Sequence, residues 1–239
     1  MPLTVLEICR EAVEEVGVDP PSSFIGDFGA QLLALANSTG RDLIIRADHS
    51  GGWQALRGEY TFPTLAQETQ VANITTTFPN LRKFIDNTMW DRSEQRRIIG
   101  PVSAQAWQRM KSGLVSPATN VWMLRGNAIL FASIPAAGNN IFFEGVDDRF
   151  ASNSTATTFR NKFSAESDVP RINDYMFVLG VRWRFLQKKG MEYGEAFRQY
   201  EDYVSSCLSN DRPAEPISVN PYMRSEGFET QVPEGSWNL

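Results

Sequence analysis

The chain has little of what most site chemistry requires. Among its 239 residues there is one histidine, His49, and there are two cysteines, Cys9 and Cys207. A zinc site wants four Cys/His ligands, or three and a water, and three such residues this far apart make no recognisable set. A Ser–His or Cys–His nucleophile pair would have to use His49, which stands in the loop sequence Asp48-His49-Ser50-Gly51-Gly52. Nothing around it resembles a nucleophile elbow, so it reads as a surface hydrogen-bonder. Ser50-Gly51-Gly52 lacks the following Lys-Ser/Thr of a phosphate loop. Asp147-Asp148 is too short a run of oxygen ligands for an EF-hand. No catalytic, cofactor-binding or metal residue is selected, and the expectation is a protein that is not an enzyme.

Basic clusters are also missing. The formal charge is −5, and no dense Lys/Arg run offers the footprint that gripping nucleic acid requires. No run reaches the ~18 apolar residues of a membrane span, so no membrane anchor is expected. Met1-Pro2-Leu3-Thr4 opens without the basic region and apolar core of a secretory leader. Folding in a reducing cytoplasm is the expectation, with both cysteines as free core thiols.

What is present is ordinary globular composition with many aromatics, 11 % including six Trp. A chain of this length buries roughly 70–75 % of the surface it exposes when unfolded. Thr4 and Glu7 form a capping box, followed by Leu6, Cys9, Val13 and Val16 at helical spacing. Phe24, Phe28, Leu32 and Leu35 mark a second helix, closed by Asn37-Ser38-Thr39-Gly40, and a short third helix is expected from Asp42 to Ala47. Trp53 and Leu56 look like helical anchors.

From Tyr60 the pattern turns to β-formers, with strands expected over 71–78 and 84–90. Ser103 caps a helix through Trp107 and Met110. Three apolar runs, 120–124, 128–133 and 140–145, are joined by Gly-bearing links and predict a three-stranded meander. The Ser/Thr/Asn-rich stretch 150–168 reads as a loop or irregular edge strand, with Glu166-Ser167-Asp168 as a cap.

Ile172, Tyr175, Met176, Leu179, Trp183 and Leu186 then define a helix that is apolar nearly all round and therefore central. Gly190 stops it, and Tyr193, Phe197, Tyr200, Val204 and Leu208 stripe a partner helix in an antiparallel hairpin. After Asn210 the periodicity ends. In the segment 211–239, Arg212 and Arg224 stand against Asp211, Glu215, Glu226, Glu229 and Glu234. The aromatic and apolar residues Tyr222, Met223, Phe228 and Trp237 make it a candidate interface arm.

The fold class expected is α+β. A helical bundle comes from both chain ends (1–58 and 169–210), an antiparallel β-rich subdomain is inserted (59–168), and 211–239 is an extended C-terminal arm.

Several stretches, taken in order, carry a resemblance. They are Phe84-Ile85-Asp86-Asn87-Thr88-Met89-Trp90-Asp91-Arg92, Gly100-Pro101-Val102-Ser103-Ala104-Gln105-Ala106-Trp107, Leu124-Arg125-Gly126-Asn127 and Phe163-Ser164-Ala165-Glu166-Ser167-Asp168-Val169-Pro170. Leu179-Gly180-Val181-Arg182-Trp183-Arg184 and Lys189-Gly190-Met191-Glu192-Tyr193-Gly194-Glu195 complete the series. From about Leu32 to Asn210 the chain resembles the head-to-tail adaptor (connector) family of bacteriophages, similar to tail tubular protein A of short-tailed phages. The stretch 150–162 and the acidic tail depart from the pattern.

The resemblance implies a structural virion protein at the head–tail junction, forming a dodecameric ring below the portal protein. The ring would present a platform to the next tail component, a nozzle or tail tube. Double-stranded DNA would pass through its channel without sequence-specific binding. Two alternatives stand beside it, a virion-associated cell-wall hydrolase and a DNA-binding module.

Overall fold

The computed structural model describes residues 2–113 and 120–211. In chain order the elements are α1 (Val5–Glu14), α2 (Asp27–Ala47), β1 (Arg57–Pro63), β2 (Thr69–Val71), α3 (Ile74–Thr77), β3 (Leu81–Phe84), β4 (Trp90–Asp91), β5 (Arg96–Arg97) and α4 (Ala104–Lys111). There follow β6 (Trp122–Arg125), β7 (Ala128–Phe131), β8 (Asn140–Asp147), β9 (Ala151–Ser152), β10 (Phe159–Arg160), β11 (Val169–Pro170), α5 (Asp174–Lys188) and α6 (Gly194–Asp211). The fold is α+β, as expected.

α5 is the hub of the helical body. Met176, Phe177, Val178, Leu179 and Val181 are all buried, so no side of its middle faces water. Each such side chain contributes roughly 1.5–3 kcal/mol by leaving water. α1, α2 and α6 pack around it. Trp183 meets Phe197 (5.0 Å between ring centroids) and Tyr175 meets Tyr203 (5.1 Å), so α5 and α6 run antiparallel. Gly190, at φ 69°, makes the turn that follows α5.

The Thr4–Glu7 capping box forms as expected. Its helix buries Val5, Ile8, Cys9, Ala12 and Val13, so Cys9 and Val13 of the expected stripe are in the core while Leu6 and Val16 are only half-buried. Asn37-Ser38-Thr39-Gly40 does not end a helix. α2 runs unbroken through it, merging the expected second and third helices. The small and polar residues there serve packing instead. The Thr39 hydroxyl donates to Leu35 O, and Asn37 bonds both the N–H and the C=O of Phe163. Gly40 lies so close to Phe150 that a Cβ would sit 2.3 Å from its ring.

The β-body is two antiparallel sheets facing each other across an aromatic core. β8 is the spine of the larger one. β1 pairs along its whole length, from Arg57↔Val146 to Pro63↔Asn140. Its other edge is shared by β3 and β4, and β5 pairs β4. The smaller sheet is β2-β7-β6. Phe62, Phe78, Phe131, Ile141 and Phe143 fill the space between them.

The expected meander is therefore only a hairpin, β6–β7, turning at Gly126-Asn127. β8 joins the other sheet because the longer link 132–139 lets it pair with β1. Residues 74–77 form a helical turn rather than a strand, because the Asn73 side chain accepts the Thr76 N–H. The strand expected over 84–90 is broken between β3 and β4, where Asn87 takes φ 62°.

Residues 150–168 are structured. β9, β10 and β11 form a small sheet, and Phe150, Ala151 and Phe163 lie in the helical core with Val146. Asn173, not the 166–168 group, caps α5. Asp168 instead holds its own loop, accepting the N–H groups of Ser164 and Ala165 and pairing Arg160.

Candidate interaction surfaces

The joint between the two bodies is a carboxylate clamp. Asp147, at the end of β8, is buried and accepts from Arg149 at 2.6 Å and from Arg171 at 3.1 Å. Arg171 also donates to Arg149 O and Ala55 O and lies over the Phe159 ring at 4.2 Å. One guanidinium thus ties the β-body, the 3₁₀ turn at 54–56 and the start of α5. Beside it, burial and the neighbouring Asp147 charge raise Asp148 above the ordinary carboxylate range. The expected acidic loop pair is therefore one clamped group and one strained neighbour.

A second network locks the helices. Asp42 on α2 accepts from Tyr200 (2.8 Å), Arg46 (2.9 Å) and Arg184 (3.0 Å). Burial alone would raise Asp42, but those three donors together hold it below its usual value. Burial and the nearby Asp42 push the Tyr200 hydroxyl well up. Arg184 also donates to Thr39 Oγ1 and Gly180 O and lies over the Trp183 ring.

Among the described residues several apolar side chains stand exposed, Ile25 at 91 % most of all, and two further places are open to a partner. The first is the distal end of the β-body, where β1 finishes and β8 begins. Thr64 ties the two loops there, donating from its N–H to Asn139 O and from its hydroxyl to Ala136 O. On this knot's flanks Leu65 and Ile134 are 43 % and 65 % exposed. The second is a groove of about 480 Å³ between the start of α5 and the end of α6. Trp53, Ile172 and Met176 lie beneath it, and Tyr203, Cys207 and Asp211 line it. Gln54 donates its N–H to Asp211, fixing the end of α6 at the groove's rim. A smaller hollow of about 410 Å³ on the sheet face holds Trp90 and Glu144, with Arg92 over Phe142 at 3.8 Å.

The expected arm residues Tyr222, Met223, Phe228 and Trp237 lie outside the described residues. His49 is exposed, on a 3₁₀ turn whose Asp48 is held by Arg82 and Lys83. One of the two thiols takes the expected core position and the other does not. Cys9 is a core thiol, pushed up to about 12 by burial, whereas Cys207 is half-buried and faces the groove. Among the described residues no three His, Cys, Asp or Glu side chains are grouped to hold a metal ion. No helix among them is long and apolar enough to cross a membrane.

The open surfaces were not singled out in the sequence. Leu65 and Ile134 carried one signal, being large apolar residues in stretches otherwise made of turn formers. The groove carried none, because its walls come from residues 53–55, 171–176 and 203–211.

No protein-family model matches the chain, and a search of curated proteins finds no match.

Proposed function

We propose that this chain is a structural subunit of a phage head-to-tail adaptor ring. In this reading the helical body and C-terminal segment meet the portal, and the β-body faces the next tail component. The observation that carries the proposal is the bipartite build. A helical body and a β-body have separate cores, are clamped together at Asp147, and leave apolar residues open at the far end of the β-body. A protein whose task is to bridge two partners needs two contact ends held at a fixed angle. The identity proposed for those partners rests on the resemblance carried by the motif series in the sequence.

The charge is consistent with a channel through which DNA slides. A net −5 repels phosphates and disfavours tight binding. The hydrolase alternative gains nothing from the arrangement of its candidate groups. His49 lies on the surface beside an Asp48 engaged by Arg82, and Asp147 is engaged by two arginines.

Removal of residues 212–239 tests the role of the C-terminal segment. The shortened chain should stay folded and bind purified portal rings at least tenfold more weakly in a sedimentation assay, a loss of about 1.4 kcal/mol. Undiminished affinity would refute the assignment of the segment to the portal contact.

A further inference from the structure

We propose that the outer edge of β1 binds an extended strand of a partner protein, and that an arginine of that strand enters the hollow beside Trp90 and Glu144. β1 is an edge strand of the larger sheet, seven residues long, and its register with β8 runs unbroken from Arg57 to Pro63. The groups it leaves free follow from the bonds around β8. Ile85 N–H donates to Glu144 O and Arg92 N–H to Asn140 O, so the even-numbered residues of β8 turn their backbone groups towards β3 and β4. The odd-numbered residues serve β1, and their partners there are Gly58, Tyr60 and Phe62. Glu59 and Thr61 therefore turn N–H and C=O away from the sheet, and among the described residues no hydrogen bond reaches those four groups.

Sheet edges are normally guarded by shortness, lysine, proline or a bulge. The other edges among the described residues are guarded. β5, β10 and β11 are two residues long. The pairings of β2 and β3 are each interrupted by a register shift. The outer side of β6 is taken by residues 99–102, where Ile99 donates to Asn120 O and Val102 to Trp122 O. β1 has no lysine and no bulge, and its one proline is its last residue. Such an edge suits strand addition, in which main-chain bonds supply affinity and a side-chain pocket supplies specificity.

The pocket defines the side chain. Glu59, Trp90, Arg92, Phe142 and Glu144 line the hollow of about 410 Å³. Arg92 is engaged by Glu59 and lies over Phe142. Among the described residues Glu144 has no cationic partner and no cation lies over the Trp90 ring. Glu144 stands opposite Glu59 in register, so the backbone of an added strand lies two strand spacings from it, about 10 Å. An arginine and a glutamate side chain cover that span together. The guanidinium then pairs the carboxylate through its planar fork and stacks on the aromatic wall.

This inference is independent of the adaptor reading. Solvent-exchange NMR of the full chain tests it, with acetylated and amidated Thr-Val-Arg-Val-Thr-Val as the probe and the same peptide carrying Glu for Arg as its counterpart. At ~1 mM probe the Glu59 and Thr61 amides should exchange about fivefold more slowly, which corresponds to a dissociation constant of about 0.25 mM. The Gly58, Tyr60 and Phe62 amides already bond β8, so they should not change and certify the fold. Glu144→Gln should reduce the slowing to about twofold or less, since the charge-assisted bond is lost. The Glu-bearing peptide should give none. No slowing at Glu59 and Thr61, slowing only elsewhere, or equal slowing by the two peptides would overturn the proposal. So would slowing that grows with protein concentration in the absence of peptide, since a second copy would then be the occupant. The portal assay is read separately, so failure of either reading leaves the other standing.

Discussion

Asp42→Ala should be among the most damaging single changes at a position that is not fully buried. The substitution removes one carboxylate that three donors share, Tyr200, Arg46 and Arg184. Arg46 keeps Glu201 as a partner. Arg184 does not fare as well. Its side chain is 11 % exposed, and what remains to it is Thr39 Oγ1 and Gly180 O, both at 3.2 Å, and the Trp183 and Tyr200 rings. Breaking a buried pair from one side costs about 3–5 kcal/mol. Asp42 itself is 28 % exposed, so water reaches part of the site, and a figure just under that range, ~2–3 kcal/mol, is the better one.

Urea unfolding should show a lower midpoint with an unchanged slope. Adding Arg184→Met should recover a good part of the loss, because the stranded charge is then gone. The sign with pH follows from the same contacts. Asp42 has a lowered folded-state pKa, so its contribution is present above its unfolded value near 3.8 and is lost as pH falls through the lower folded value. Asp42→Ala should thus lie closest to wild type in strong acid. A loss below ~0.5 kcal/mol at neutral pH, the range of ordinary surface changes, would refute the reasoning. So would a double variant no more stable than Asp42→Ala alone.

Three further outcomes follow. Gly40→Val should destabilise by about 1–3 kcal/mol in urea unfolding, since its first side-chain carbon already meets the Phe150 ring at 2.3 Å. Asp148→Asn should raise the melting temperature at neutral pH. A raised folded-state pKa makes ionisation costlier in the fold, and the gain should vanish in acid, where wild-type Asp148 is protonated. Thr4→Ala should lower stability by about 1 kcal/mol through loss of the α1 cap, with the Cys9 thiol still protected at 25 °C.

Signals that act within one helical turn are legible in the sequence. The Thr4–Glu7 box and the Ser103 cap each act over one helical turn, and both form. The all-round apolar pattern of 172–186 marks the central helix because burial on every side leaves no polar face to interrupt it. Several expectations fail where a distant segment supplies the reason, although the helical turn at 74–77 has a local cause, the Asn73 cap. Asn37, Thr39 and Gly40 look like a helix stop, but Phe163, Arg184 and Phe150 give each a packing role inside α2. Residues 140–145 look like the third strand of a meander, yet their partner is β1, some eighty residues earlier in register. The Asp42 and Asp147 networks were invisible for the same reason. Asp42 meets Tyr200 across 158 positions, and no spacing rule spans that. The candidate arm residues stand out by composition alone, and the groove beside the end of α6 exists only once α5 and α6 are folded together.

The most direct measurement is electron microscopy of the full chain mixed with purified portal rings. The account predicts a second ring of density, with the portal's own symmetry, seated against one face of the portal with the β-bodies pointing away. Portal rings that remain bare at saturating protein concentration would contradict it.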